Sequence, residues 1–478
     1  MKTPSKTSIN YIEGVVIILV NLLLTAYCRI VGFSLIMPLL LLLSGIHLFL
    51  HKKADTKLFL YLGLLLVILI AVTNYIVHYT AIQAFYIPVA SITMLTILLF
   101  NDLHLTLIMS FLSSTMVTLI AGGELSLMLI FFVGSLTSAY TIRDARTRGK
   151  LIGAGFYVGM IQVFCIILFH PEIDFVFSRI FVFNYLGPLF LNGLISAFVV
   201  MTTLKIFEMC FGVLTNFSLL ELSDKDRPLL KRMSLEAPGT YHHSMLVSDL
   251  AESAADAIGA NALLTRVGAY YHDIGKIDKA EYYTENQIDV RNKHDTIEPS
   301  VSRLVILNHV KEGVELARQH KLNGLIIDFI PQHHGTGLMY YFYQRALESA
   351  QDPSAVNEED YRYPGPKPQT RETAIVLLAD SVEGATRALE EPSPKKIEET
   401  VRKIINNKFI DGQLDECNLT LKEINLIAET FARVLSAIYH TRLKYPENKN
   451  DDSNTKSAEE NTPDSRPDSQ DHRRSSDS

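Results

Sequence analysis

The apolar residues of this chain fall into two regimes. Up to about residue 205 they come as unbroken runs, and beyond about Glu221 they come as single positions repeated every three to four residues. Runs of the roughly 17 to 25 residues needed to cross a hydrocarbon layer lie at 11–28, 31–50, 57–79, 82–100, 104–121, 123–141, 152–169 and 182–204, predicting eight crossings. The last run continues through Leu204 to Leu220, where Leu204, Phe207, Phe211, Leu214 and Phe217 interleave with Lys205 and Glu208. That pattern predicts a stalk helix over 206–221, which either pairs with a copy of itself in a homodimer or lies at the headgroup level.

Downstream, helical spacing recurs at Ala251–Ala257, Ala262–Tyr271, Pro299–Gln319, Arg371–Leu389, Pro394–Asn407 and Leu421–Leu443, and the alternation expected of strands is missing. The predicted fold is all-α. A polytopic helical membrane domain over 1–205 and the stalk precede an all-helical soluble domain over 222–445. A polar tail over 446–478 has too few apolar residues to offset its ordering entropy and is expected to be disordered.

Positive charge orients the membrane part. His51, Lys52, Lys53 and Lys57, and then Arg143, Arg146, Arg148 and Lys150, fall in alternate loops, as cytoplasmic loops require. The opposite loops carry mainly Arg29 and Arg179 against Glu124, Glu172 and Asp174. Both termini and the soluble domain are therefore expected on the cytoplasmic face of the membrane, with lipid as a partner. Met1 to Asn10 is short and basic, and no small-residue cleavage site follows it, so the first run reads as a retained anchor.

Charge and cysteine usage then exclude several functions. The net charge of −7 has no basic stripe, which argues against duplex nucleic acid as a partner. Ionisable residues in the spans are scarce and near their ends, as Glu13 is, which argues against an ion pathway. Cys28, Cys165, Cys210 and Cys417 form no CxxC pair, so neither a thiolate zinc site nor a disulfide framework is indicated.

Candidate chemistry gathers in the soluble part, where eight of the 15 histidines lie between residues 242 and 334. His272-Asp273 ends a buried apolar helix, and an imidazole beside a carboxylate in such a place needs neutralising, which a divalent cation does. Asp380 follows five apolar residues and raises the same question. His333-His334 lies between Pro331 and Gly335 at a helix end, while His243 and His309 taken singly fit a core histidine as well as a ligand. As an ordered set, His243, His272-Asp273, His309, His333-His334 and Asp380 describe a two-metal hydrolytic site. His242, His294, His320 and His440 have polar or helix-surface surroundings and are given no role.

This ordered set resembles the HD-domain metal phosphohydrolases. Further stretches bring it closer to one branch: Glu236 to Ser244, Tyr271 to Lys276, Tyr283 to Gln287, Asn292 to Asp295, Gln332 to Thr336, Arg362 to Pro366 and Leu378 to Glu383. That branch is the seven-transmembrane HD (HDIG) family of bacterial membrane proteins that hydrolyse cyclic di-AMP. The resemblance implies a phosphodiesterase producing linear pApA, with two divalent ions, manganese or iron by the imidazole-rich donor set. One ion would sit on His243, His272, Asp273 and Asp380 and the other on His309, His333 and His334, with Asp273 bridging. Lys276 would hold a phosphate oxygen, and Thr336 and Arg387 are further substrate-binding candidates. The family usually has an anchor, a large extracellular domain and seven crossings; here 11–28 reads as the anchor, and Cys28 to Val31 stands where that domain would be. Cleavage of another cyclic dinucleotide such as cyclic di-GMP, or a silent nucleotide receptor, remains an alternative. The Gly-Tyr-Pro signature of cyclic di-GMP enzymes is replaced by Tyr363-Pro364-Gly365 in another order and place.

Overall fold

An apolar run in lipid must satisfy its backbone internally, and the long runs do so as helices. The computed structural model describes residues 56–143, 145–169, 178–287 and 293–439. Its first part contains α1 (Thr56–Tyr79), α2 (Ala90–Phe100), α3 (Leu103–Ile120), α4 (Leu125–Ile142), α5 (Arg148–Phe169) and α6 (Gly187–Phe211). Five stretches are long and apolar enough to cross a membrane: Leu60–Tyr79, Leu103–Ile120, Leu125–Ile142, Arg148–Phe169 and Arg179–Phe211. They match the predicted runs from 57–79 and from 104–121 onward. The runs at 11–28 and 31–50, the cations at 51–53 and the tail at 446–478 lie outside the described residues.

The predicted crossing at 82–100 has a different form, a 3₁₀ turn at Ala84–Tyr86 followed by the 11-residue α2. Pro88 breaks the run because it lacks a donor and holds Ile87 in an extended conformation. The amide of Asn192 covers the break, donating to Phe85 O at 2.9 Å and Ile87 O at 2.5 Å. Elsewhere hydroxyls such as those of Thr96 and Thr115 donate to the carbonyl four residues back in their own helices. The outer face is apolar: Leu60, Leu64, Ile68 and Val72 form an exposed stripe on α1, while Leu62, Leu65, Leu66 and Leu69 turn inward. Helices α5 and α6 cross at backbone contact, since a Cβ on Gly193 would lie 2.1 Å from Gly155 O.

The continuous stalk helix predicted over 206–221 is not formed. Helix α6 ends at Phe211, Gly212 takes a left-handed conformation (φ 65°), and α7 (Asn216–Leu222) begins after a four-residue connector. Glu208, 5% exposed, holds this break. It accepts from the Thr215 amide at 3.2 Å, from the Thr215 hydroxyl, and from the Ser218 hydroxyl at 2.6 Å. The faces expected to pair with another copy are covered within the chain. Phe207 and Phe217 pack on the membrane core, and Leu214, Leu219 and Leu220 on the soluble core.

The soluble part comprises α8 (Pro228–Glu236), α9 (Pro238–Ala257), α10 (Ala262–Tyr271), a 3₁₀ segment (Ile274–Tyr282), α11 (Pro299–Gln319), α12 (Gly324–Ile327), α13 (Phe329–Gln332), α14 (Tyr340–Ser349), α15 (Arg371–Arg387), α16 (Pro394–Ile410) and α17 (Leu421–Ile438). No strand occurs among the described residues; Leu338 and Arg362 share one isolated bridge. Helix α15 is central, packed by α9, α10, α16 and α17. That position explains why its Ala374 to Ala379 turns are apolar on every side and fully buried.

Candidate metal centre

Three helix ends and two helix interiors converge on one buried point. His243 comes from the first turns of α9, His272-Asp273 from the end of α10, His309 from the middle of α11, His333-His334 from the end of α13, and Asp380 from α15. Three glycines permit the approach. A Cβ on Gly275 would lie 1.8 Å from His309 O, so only glycine lets the residues after Asp273 cross α11 at His309. A Cβ on Gly239 would lie 1.8 Å from Glu285 O. Gly335 sits at φ 55°, and a Cβ there would meet Gln413 Oε1 at 2.4 Å, so the turn after His334 also demands glycine.

Asp273 divides the cluster. Its Oδ2 faces His243 Nε2 at 3.7 Å and His272 Nε2 at 3.3 Å, while its Oδ1 faces His309 Nε2 at 3.6 Å and His333 Nε2 at 3.5 Å. Asp380 joins from the rim, with Oδ1 2.9 Å from His243 Nε2 and 3.8 Å from His272 Nε2, and Oδ2 3.8 Å from His334 Nδ1. Two groups of donor atoms close enough to hold a cation result: His243, His272 and Asp273, and Asp273, His309, His333 and His334. All seven residues predicted for the site are therefore brought together.

The imidazoles are aimed by their other nitrogen. Nδ1 of His272 donates to Ala269 O at 2.7 Å, that of His333 to Ile330 O at 2.6 Å, and that of His309 to Ile306 O. Each bond fixes the tautomer with a lone pair on Nε2 facing the centre. His272 Nε2, His309 Nε2, His333 Nε2 and Asp273 Oδ1 are buried with no hydrogen-bond partner among the described residues. Orphaned polar atoms cost about 1–3 kcal/mol each, and here they converge. The donor set thus fits divalent cations, because one ion in each group would satisfy them together.

His243 differs from the others. Its Nδ1 donates to buried Glu383 at 2.6 Å, and Glu383 also pairs with Arg387 at 3.4 Å. Burial opposes a proton on His243, but the hydrogen bonds to Asp380 and Glu383 overcome it and raise the imidazole to about 10. Burial dominates at His309, lowering it to about 3, and it holds His333 and His334 below the usual histidine range. Burial also opposes charge on Asp273 and Asp380, yet Lys276 and His272 around the first and His243 around the second keep both carboxyls well below the usual range.

The three predicted substrate residues have other partners. Lys276, 13% exposed, lies 2.6 Å from Asp273 Oδ2 and 3.1 Å from Glu285 Oε1, so it braces the central carboxylate. Thr336 donates its amide to buried Gln413 at 2.9 Å, and its hydroxyl accepts from Gln413 at 3.0 Å, which makes it part of a turn lock. Arg387 stands behind His243, on Glu383, rather than over the cluster; the i,i+4 spacing from Glu383 could have indicated this. Sequence reasoning also missed Glu285, which the Lys276 ammonium bonds, and Tyr363, whose ring stacks on His334 at 4.1 Å between centroids. Neither carries a sequence signal beyond its place in a matching stretch.

A helical membrane bundle joined to an all-helical domain with this His/Asp cluster defines a membrane-bound protein of the HD class. The family model described as "7TM receptor with intracellular HD hydrolase" matches residues 22–215, and the HD domain model matches residues 240–385. The chain is thus similar to this seven-transmembrane HD family in both its membrane part and its soluble part. It is 41% identical over 367 residues to the cyclic-di-AMP phosphodiesterase PgpH of Listeria monocytogenes serotype 1/2a (strain 10403S), covering 77% of this chain and 51% of the relative. With the protein of the same name from Bacillus subtilis (strain 168) it shares 39% identity over 321 residues, covering 66% and 44% respectively. The chain thus spans about half the length of these curated relatives. The crystal structure of the L. monocytogenes PgpH HD domain in complex with cyclic di-AMP is 49% identical, with 45% of this chain and 100% of that one covered and a TM-score of 0.44.

Proposed function

We propose that this chain is a membrane-anchored, metal-dependent phosphodiesterase that opens cyclic di-AMP to linear pApA on the cytoplasmic side, lowering the level of this second messenger. The observation that carries the reading is the division of Asp273, one oxygen toward His243 and His272 and the other toward His309 and His333. A carboxylate so placed would offer one oxygen to an ion in each donor group. The names of the two PgpH relatives support the substrate.

Bound manganese or iron would supply Lewis acidity toward a phosphoryl oxygen and toward the attacking water. Every other contribution comes from the chain. His243, His272, Asp273 and Asp380 would hold one ion, and His309, His333 and His334 the other. The backbone carbonyls behind His272, His309 and His333 keep their rings in register. Lys276 and Glu285 fix the rotamer of Asp273 and balance its charge. His334 and Asp380, 20% and 15% exposed, form the open side through which substrate enters.

Orientation is supported by Arg146 and Arg148, which line a cleft of about 360 Å³ with Lys205, Glu208, Glu221 and Asp224. The positive loop therefore shares a side with the soluble domain, as a cytoplasmic loop would. The test incubates the full chain in detergent with manganese and cyclic di-AMP, and separately with cyclic di-GMP. Linear pApA as the favoured product supports the proposal; cleavage of cyclic di-GMP with cyclic di-AMP left intact refutes the substrate.

A further inference from the structure

Lys408 lies in the last turn of α16, a helix that gives no donor to the cluster. Its neighbours Arg402 and Lys403 are exposed, but Lys408 is half-buried and turned back toward the segment that follows His333-His334. A Cβ built on Gly337 would lie 3.2 Å from its ammonium nitrogen. The same turn carries His334 on one side, and on the other Gly337 O accepts from the amide of Tyr363, whose ring stacks on His334.

No carboxylate among the described residues lies within ion-pair distance of this ammonium. The two that face it, Asp380 and Asp411, are engaged elsewhere. Asp380 is bonded to His243 at 2.9 Å, and Asp411 to Arg362 at 3.0 Å and to Gln413 at 2.9 Å. Burial holds Lys408 below the usual lysine range, with Asp380 and Asp411 opposing that fall and Arg362 adding to it. An uncompensated cation beside the open side of the cluster calls for an anion from outside the chain.

We propose that Lys408 binds the second phosphate of a cyclic dinucleotide, the one not being cut, and so selects substrates with two phosphodiesters over those with one. The inference rests on the phosphodiesterase reading above. The scissile phosphate belongs at Asp273, where Lys276 is already committed. Lys408 approaches instead from the rim, past Gly337, where the other half of a ring-shaped substrate would lie.

The experiment compares full-length wild type, Lys408→Gln and Lys408→Arg on cyclic di-AMP and on bis(p-nitrophenyl) phosphate, which has a single diester. Loss of one charge-assisted contact predicts a rise in KM for cyclic di-AMP of about tenfold to hundredfold in Lys408→Gln, with kcat changed far less. The loss on the single diester is much smaller, Lys408→Arg recovers most of the affinity, and bound metal per chain is unaltered. An equal loss on both substrates, or none on either, overturns the assignment. If wild type opens a different cyclic dinucleotide, the substrate reading fails, and the same comparison on that dinucleotide still decides Lys408. If wild type cuts only single diesters, both fail.

Discussion

The two halves of this chain are both helical, but they place their polar atoms in opposite ways. In the membrane half, polar groups are small, neutral and dispersed: Thr96 and Thr115 bond their own helices, and Asn192 covers the carbonyls before Pro88. In the soluble half, charged and imidazole groups converge, and four buried atoms are left without a partner at one point. Dispersed polarity, part of it bonded within its own helix and part of it, as at Ser135 and Gln162, buried without a partner among the described residues, serves packing in a medium without water. Convergent, unsatisfied polarity builds a site, because only a ligand completes it.

The largest test of this contrast is Asp273→Asn, which removes the charge that joins the two donor groups. Turnover is expected to fall on the order of a thousandfold or more, and bound metal, measured by mass spectrometry, to drop below two ions per chain. Two ions with full turnover would break the comparison at its centre.

A smaller effect is expected behind His243. Glu383→Gln weakens the orienting bond and should reduce metal affinity about 10–100-fold. The proton supplies a second readout. His243 is raised to about 10, above its ordinary value, so below that pH an ion must displace a proton from it. Affinity in the wild type therefore rises with pH from neutrality toward about 10. In Glu383→Gln that rise levels off at lower pH, because one of the bonds holding the proton is weaker. A pH profile identical to wild type would remove Glu383 from this role.

The smallest chemical effect should come from the membrane half. Gly193→Val places side-chain atoms against Gly155 O and should destabilise the bundle by about 1–3 kcal/mol, read as a lower unfolding temperature in detergent. Turnover per folded molecule stays near wild type. A loss of turnover without a loss of stability would show that this crossing takes part in more than packing.

The His/Asp cluster was legible in the sequence because few residue types serve as metal ligands, and because His272-Asp273 and His333-His334 sit where apolar helices end. The stalk was misread for a physical reason. Apolar spacing runs unbroken from Leu204 through Phe217, and what interrupts the helix is the left-handed Gly212 with Glu208 bonding across it, a contact that spacing does not encode. Glu383, Glu285 and Lys408 were missed because a charged residue on a helix reads as solvated unless its depth is known. Arg387 was aimed at the cluster by its place in the chain, but its nearest carboxylate is one turn back on the same helix.

Four residues, Gly212 to Thr215, separate α6 from α7, and their carbonyls and amides are tied at both sides: Thr215 to Glu208, and Gly212 O to Asn323 at 3.2 Å. Helix α7 is itself held in the soluble core through Leu219, and its Leu222 carbonyl receives the Tyr271 hydroxyl at 2.8 Å, one residue before His272. In mechanical terms the joint is a coupling with little play, unlike a slack tether. A rotation at the end of α6 would thereby be passed through α7 to Tyr271, the residue beside His272.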